Sequence, residues 1–153
     1  MRVIVILVIF SVFAGCNYKN EKALRLYDEE LEPIRVQIVE LSRYQGYVNE
    51  KKTPNRIQDF VNDEILTRAR KINNQLQELR SKNSKIKELN AELADIWMEY
   101  IIGFELFSQD LSNINLLARQ GQIQRVLERC SARWRSWNAE LMSFHEAVVG
   151  WAG

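Results

Sequence analysis

Proline and glycine are scarce in this chain of 153 residues, with two of the first and six of the second. An all-β domain needs a turn signal about every 8–12 residues, so a sheet architecture is disfavoured. Charge of one sign is also missing: 21 Lys and Arg stand against 20 Asp and Glu. A nucleic-acid or polyanion binder normally carries a marked basic excess, which this chain does not have. A single histidine and two cysteines give little material for a metal site, which usually gathers several such ligands. No glycine-rich phosphate loop, no Gly-x-Ser-x-Gly elbow and no nucleophile–base pair is present. The apolar share, 46%, is in turn too high for a disordered chain. The length suits one domain, and no internal repeat suggests a solenoid. What is left is a single helical domain.

The chain opens Met1-Arg2 and continues with an apolar run from Val3 to Phe13. Spanning a bilayer core as a helix takes about 20 residues, so this run is too short to cross. A positive start, a short apolar stretch and small residues before a cleavage point describe a secretory signal. Here the small residues are Ala14 and Gly15, and Cys16 follows directly. This resembles a bacterial lipoprotein signal, whose lipobox ends in small-small-Cys, although Phe13 stands where Leu is usual. The resemblance covers about a tenth of the chain. It implies removal of residues 1–15 and acylation of Cys16 on its sulfur and its amine. Several acyl chains, at ~0.8 kcal/mol per buried CH₂, make a stable anchor. Asn17, where Asp would favour inner-membrane retention, implies an outer-membrane position facing the periplasm. Loss of Arg2 then leaves acidic and basic side chains equal in number. Lipidation also leaves Cys130 without a partner in the chain.

Residues 16–20 are expected to form the lipidated Cys and a short polar tether, and residues 21–153 one helical bundle. Apolar residues recur there at alternating spacings of three and four, the seam of helices that pack side by side. The first seam runs Leu24, Tyr27, Leu31, Ile34, Ile38, Leu41, Gln45, Val48, and Pro33 should bend its helix near Glu29. Thr53 can cap a second helix with Pro54 at its first position. That helix carries Ile57, Val61, Ile65, Ala69, Ile72, Leu76 and Leu79. Around residues 81–85, Asn83 can take a left-handed conformation and Ser84 can cap a third helix. The rival is one continuous helix over 54–118, since Leu79, Asn83, Ile86, Asn90 and Leu93 keep the heptad. The third seam, Trp97, Tyr100, Phe104, Phe107, Leu111 and Ile114, is wide enough to need neighbours on more than one side. Gly121 is expected to end that helix. The fourth seam runs from Ile123 through Cys130, Trp134, Trp137, Leu141, Phe144 and Val148 to Trp151. The expected fold is an all-α, antiparallel, up-down bundle of about four long helices.

Candidate chemistry is sparse. His145, the lone histidine, sits one step off the fourth seam and reads as half-exposed; pairing with Met98 around a haem lacks an attachment motif. Glu88, Glu92, Asp95 and Glu99 share a helix face and read as a cross-paired surface, with Asp95 near Arg70 and Glu92 near Lys71 or Arg70. Cys130 reads as a buried, inert thiol. The remaining feature is basic: Arg119, Arg125, Arg129 and Arg133, the last three stacked on one face and in want of acidic neighbours such as Asp110 or Glu105. Unpaired, these forks suit a carboxylate- or phosphate-bearing partner. An up-down bundle would gather Lys51, Lys52, Arg56, Arg119 and Arg125 at the end away from the membrane, and return Trp151 to it. The sequence therefore reads as a lipid-anchored, non-enzymatic interaction or structural module of the bacterial envelope. It would need no cofactor or metal and bind no nucleic acid. Its partner would be an acidic envelope protein or polymer. The alternative is a bundle enclosing an apolar or haem-like ligand within Trp97, Tyr100, Phe104, Trp134 and Trp137.

Overall fold

The computed structural model describes residues 3–48, 50–51 and 53–150, with side chains from residue 18 onward. These residues are helical throughout apart from their connections: α1 (Val3–Val48), α2 (Pro54–Phe60), a π-helical segment (Val61–Leu66), α3 (Thr67–Glu78), α4 (Ser84–Ser108) and α5 (Leu116–Val149). The α2–π–α3 run is one rod, so the chain goes up, down, up and down. It forms the antiparallel bundle expected, with α3 between α1 and α4, and α5 closing the ring against α4 and α1. Two contacts fix the sense of the first and third helices. Asn83, before α4, donates its amide to Asn20 Oδ1, early among the α1 residues whose side chains are described, at 2.9 Å. Much farther along both helices Gln45 donates to the Tyr100 hydroxyl at 2.5 Å. Among the described residues no helix is long and apolar enough to cross a membrane.

The seams supply the core. Leu24, Leu31, Ile34 and Leu41 of α1 are buried with Ile65, Ile72 and Leu76 of the second rod, and with Ile86, Leu89, Leu93 and Ile96 of α4. Trp137 of α5 is wholly buried, and its indole N–H donates to the Leu89 carbonyl at 2.7 Å. Trp97 donates likewise to the Ala69 carbonyl at 2.7 Å. Each large ring thus buries its apolar body without stranding its polar N–H. The π-helical segment has a sequence cause. Ile57, Val61, Ile65 and Ala69 are spaced by four three times running, all four are buried, and a 3.6-residue helix would rotate the later ones off the core. A wider turn absorbs the surplus, and Thr67 donates to the Asn62 carbonyl across it at 3.1 Å.

Several boundaries differ from expectation. α1 runs through residues 17–20, so the expected tether is helical; at Pro33 the helix is not broken, in keeping with a stripe that holds its phase across the proline. The second and third helices are separate, which overturns the single helix over 54–118: α3 stops at Glu78, with Leu79 extended. The cap of α4 is Asn83, not Ser84; it is extended rather than left-handed, and its side chain accepts from the Ile86 N–H at 3.1 Å. Pro54 does open α2, but the Thr53 side chain makes no cap bond. The largest correction concerns the end of the third seam. α4 stops at Ser108 and Gly121 lies inside α5. The turn is built from Asp110, at φ 49°, and from Ser112 and Asn115. Asn115 Oδ1 accepts from the Ser112 N–H at 2.8 Å while Ser112 Oγ accepts from the Asn115 N–H at 3.4 Å. That reciprocal pair closes the turn much as a capping box does, with neither glycine nor proline. Ile114, expected in the seam, is instead 98% exposed.

Candidate functional site

The arginines of α5 lie on the flank that faces α4. Arg133 Nη2 stands 2.8 Å from Asp95 Oδ2 and its Nη1 is 3.1 Å from Glu99. Arg129 Nε is 2.9 Å from the other oxygen of Glu99. The Arg129 hydrogen bond, opposed by burial and helped by Arg133, holds the Glu99 carboxyl below its ordinary range. The acidic face of α4 is therefore the complement of α5: Asp95 pairs with Arg133 rather than Arg70, and Arg70 instead meets Glu105 at 2.7 Å. Asp110 and Glu105, expected beside the arginines, do not serve them. Glu88 lies 3.8 Å from Lys85, and Lys85 also bonds Glu140 of α5. Three of the four carboxylates on that face thus belong to ion pairs.

Arg125 differs for a simple reason. In the antiparallel register Arg133 meets Asp95 and Arg129 meets Glu99, so the next step of four sets Arg125 beside Gly103. A glycine offers no carboxylate, and among the described residues neither Arg125 nor Arg119 has an ion-pair partner. Both line a slot of about 330 Å³ between α4 and α5, walled by Gly103, Leu106, Phe107, Ile123 and Val126. Of its apolar walls Leu106 reaches into solvent; Ile114 and Leu117, in the preceding turn and the first turn of α5, are exposed but do not line the slot. Nearby, the Lys51 ammonium lies 4.5 Å over the Phe60 ring and Arg56 is exposed. Lys52 and Trp151 lie outside the described residues, as does the side chain of Cys16.

The chain matches no family model, no curated protein and no solved structure. Its surface must be read from its own chemistry.

Met98 lies in a cleft between α3 and α4, whereas His145 faces α1, with its Nε2 3.8 Å from Asp28; they do not share a site. Among the described residues no group of three or more His, Cys, Asp or Glu side chains is placed to hold a metal ion. The aromatic set is packed against itself, with Trp97 and Tyr100 stacked at 4.8 Å, Tyr100 and Phe104 tilted at 4.8 Å, and Trp134 and Trp137 tilted at 5.3 Å. Cys130 is buried with Sγ 3.8 Å from the Ile96 carbonyl, and burial, with the Glu99 charge, pushes its thiol up to about 11. The α3–α4 cleft is a feature that the sequence reading missed. Its signal was there: Asn90, a polar residue at a seam position.

Proposed function

We propose that this protein is a lipid-anchored, non-enzymatic interaction module of the bacterial envelope, held at Cys16 and engaging an acidic partner through the far end of the bundle. The observation that carries the partner surface is the slot between α4 and α5, where Arg119 and Arg125 remain uncompensated beside exposed Leu106. Apolar side chains ringed by unpaired guanidinium groups suit a segment that brings both apolar anchors and carboxylates. Arg129 and Arg133, part of the wider arginine face, serve first to lock α4 to α5. The support for anchoring is the Ala14-Gly15-Cys16 signal together with an apolar run too short to span a bilayer.

Two experiments test the two halves separately. Cys16→Ser should abolish incorporation of labelled palmitate and release the mature protein from membranes; continued labelling would remove the anchor. A photo-crosslinker at Leu106 should give a discrete adduct in cells that disappears with Arg119→Gln and Arg125→Gln. The same probe at Met142 should give none. Equal adducts at both positions, or an adduct indifferent to the arginines, would remove this surface.

A further inference from the structure

The α3–α4 cleft holds about 560 Å³, within the usual size of small-ligand sites. Tyr27 lines it from α1, only 3% exposed, and its hydroxyl has no hydrogen-bond partner. Burial pushes that phenol well above its ordinary range, with Asp28 adding to the effect and Arg35 opposing it, so it stays a neutral O–H. Asn90 lines the same cleft. Its amide nitrogen donates to the Leu76 carbonyl at 3.0 Å, which leaves its oxygen buried without a donor. An unpaired buried polar atom costs about 1–3 kcal/mol, and two of the residues lining this cleft each carry one. Together they present an acceptor and a group that can donate or accept, the complement of a hydroxyl. Leu79, Ile86, Ala94 and Met98 supply apolar walls. Arg80 and Lys87, both exposed, also line it, with Gln77, Ser81, Ala91 and Asp95, whose carboxylate is already held by Arg133. Neither Arg80 nor Lys87 has an ion-pair partner among the described residues, and Arg80 bonds only to the carbonyls of Gln77 and Leu79.

The geometry points to a binding site for a small organic anion with an apolar, ring-sized body and a hydroxyl at the end opposite its carboxylate. The hydroxyl would fall to Tyr27 and Asn90, the carboxylate to Arg80 and Lys87, and the body to the walls, where the Met98 thioether suits an aromatic ring. This site stands apart from the slot beside Arg125 and does not depend on anchoring or on a protein partner.

The test uses the full chain in nanodiscs, labelled at its methionine methyl groups with carbon-13, and 3-(4-hydroxyphenyl)propionate as probe. Met98 reports on the cleft, while Met142, in a different cleft with Asp28 and His145, is the control. The probe should shift the Met98 methyl saturably and leave Met142 in place. 3-Phenylpropionate, which lacks the hydroxyl, should bind at least ten-fold more weakly, since buried groups left unpaired reject such an analogue. The methyl ester of the probe, which lacks the charge, should also bind more weakly. Tyr27→Phe should equalise the two acids, and exposed Arg80→Gln with Lys87→Gln should equalise acid and ester. No Met98 shift at millimolar probe, equal shifts at Met98 and Met142, or an acid preference that survives the double substitution would each overturn the site.

Discussion

Gly103 on α4 lies against Val126 on α5 so closely that a Cβ at Gly103 would stand 2.6 Å from Val126 Cγ1. The α5 side chains of Val126 and Ile123 pack directly onto the bare backbone of α4 there. A β-branched valine has few rotamers to retreat into, so Gly103→Ala should destabilise the bundle by about 1–3 kcal/mol through overpacking. Gly121 is the opposite case: it lies inside α5, and an added Cβ would meet nothing closer than Arg125 Nη1 at 3.8 Å. Gly121→Ala should therefore stabilise by about 0.5–1 kcal/mol, the helix-interior difference between the two residues. Urea midpoints of both variants check this pair, and a loss of stability in Gly121→Ala would contradict its helical placement.

The second expectation concerns acid. Glu99 has a folded carboxyl pKa lowered by its Arg129 hydrogen bond and by Arg133. A depressed folded pKa contributes stability that is fully present above the unfolded value, about 4.3 for Glu, and disappears as pH falls through the folded value. Glu99→Gln should thus be less stable than the parent at pH 7 and lose that deficit below about pH 4. Paired urea melts at pH 7, 5 and 3 measure the gap; a gap that stays constant would show that the carboxylate charge is not its source.

A third expectation follows from the burial of Cys130. With the thiolate disfavoured by its surroundings, the native protein should react slowly with a disulfide reagent at pH 8 and fast once urea exposes the sulfur. In a Cys16→Ser background, where Cys130 is the only thiol, the rate should follow unfolding across the urea transition. Prompt reaction in buffer alone would mean that the α4–α5 seam opens around it.

The periodicity of the chain was enough to identify the bundle because each helix buries one stripe, and stripes are local. The turns were harder. Asn83 was visible as a turn residue but filled the cap role assigned to Ser84. The Asp110–Asn115 turn escaped because Leu111 and Ile114 kept the spacing of the seam, though Leu111 is buried and Ile114 is not. Gly121 drew the boundary toward itself, yet a left-handed glycine cap needs a positive φ, and no described glycine has one.

That misplaced turn also explains the misassigned ion pairs. A turn at Gly121 would set Arg129 beside Asp110; the turn observed sets it beside Glu99. Asp95 missed Arg70 for a different reason. The hairpin of α3 and α4 was placed correctly, but Asp95 points around α4 toward α5, and a spacing pattern alone does not say which neighbour a face will meet. The clefts lay further out of reach: Asn90 marked a polar seam position, but their form depends on the shape left between helices rather than on any one stripe.

The continuity of α1 has a mechanical consequence. Its backbone is helical at residue 16 and, among the described side chains, the first buried one is Leu24, so about 12 Å of rod, at 1.5 Å per residue, separates the two. If acyl chains hold residue 16, they grip a lever rather than a leash. The arginine-rimmed end would ride roughly 50 Å above the lipid, counting along α1. Its height would be set, its swing small, and only a structure standing at that altitude would meet it.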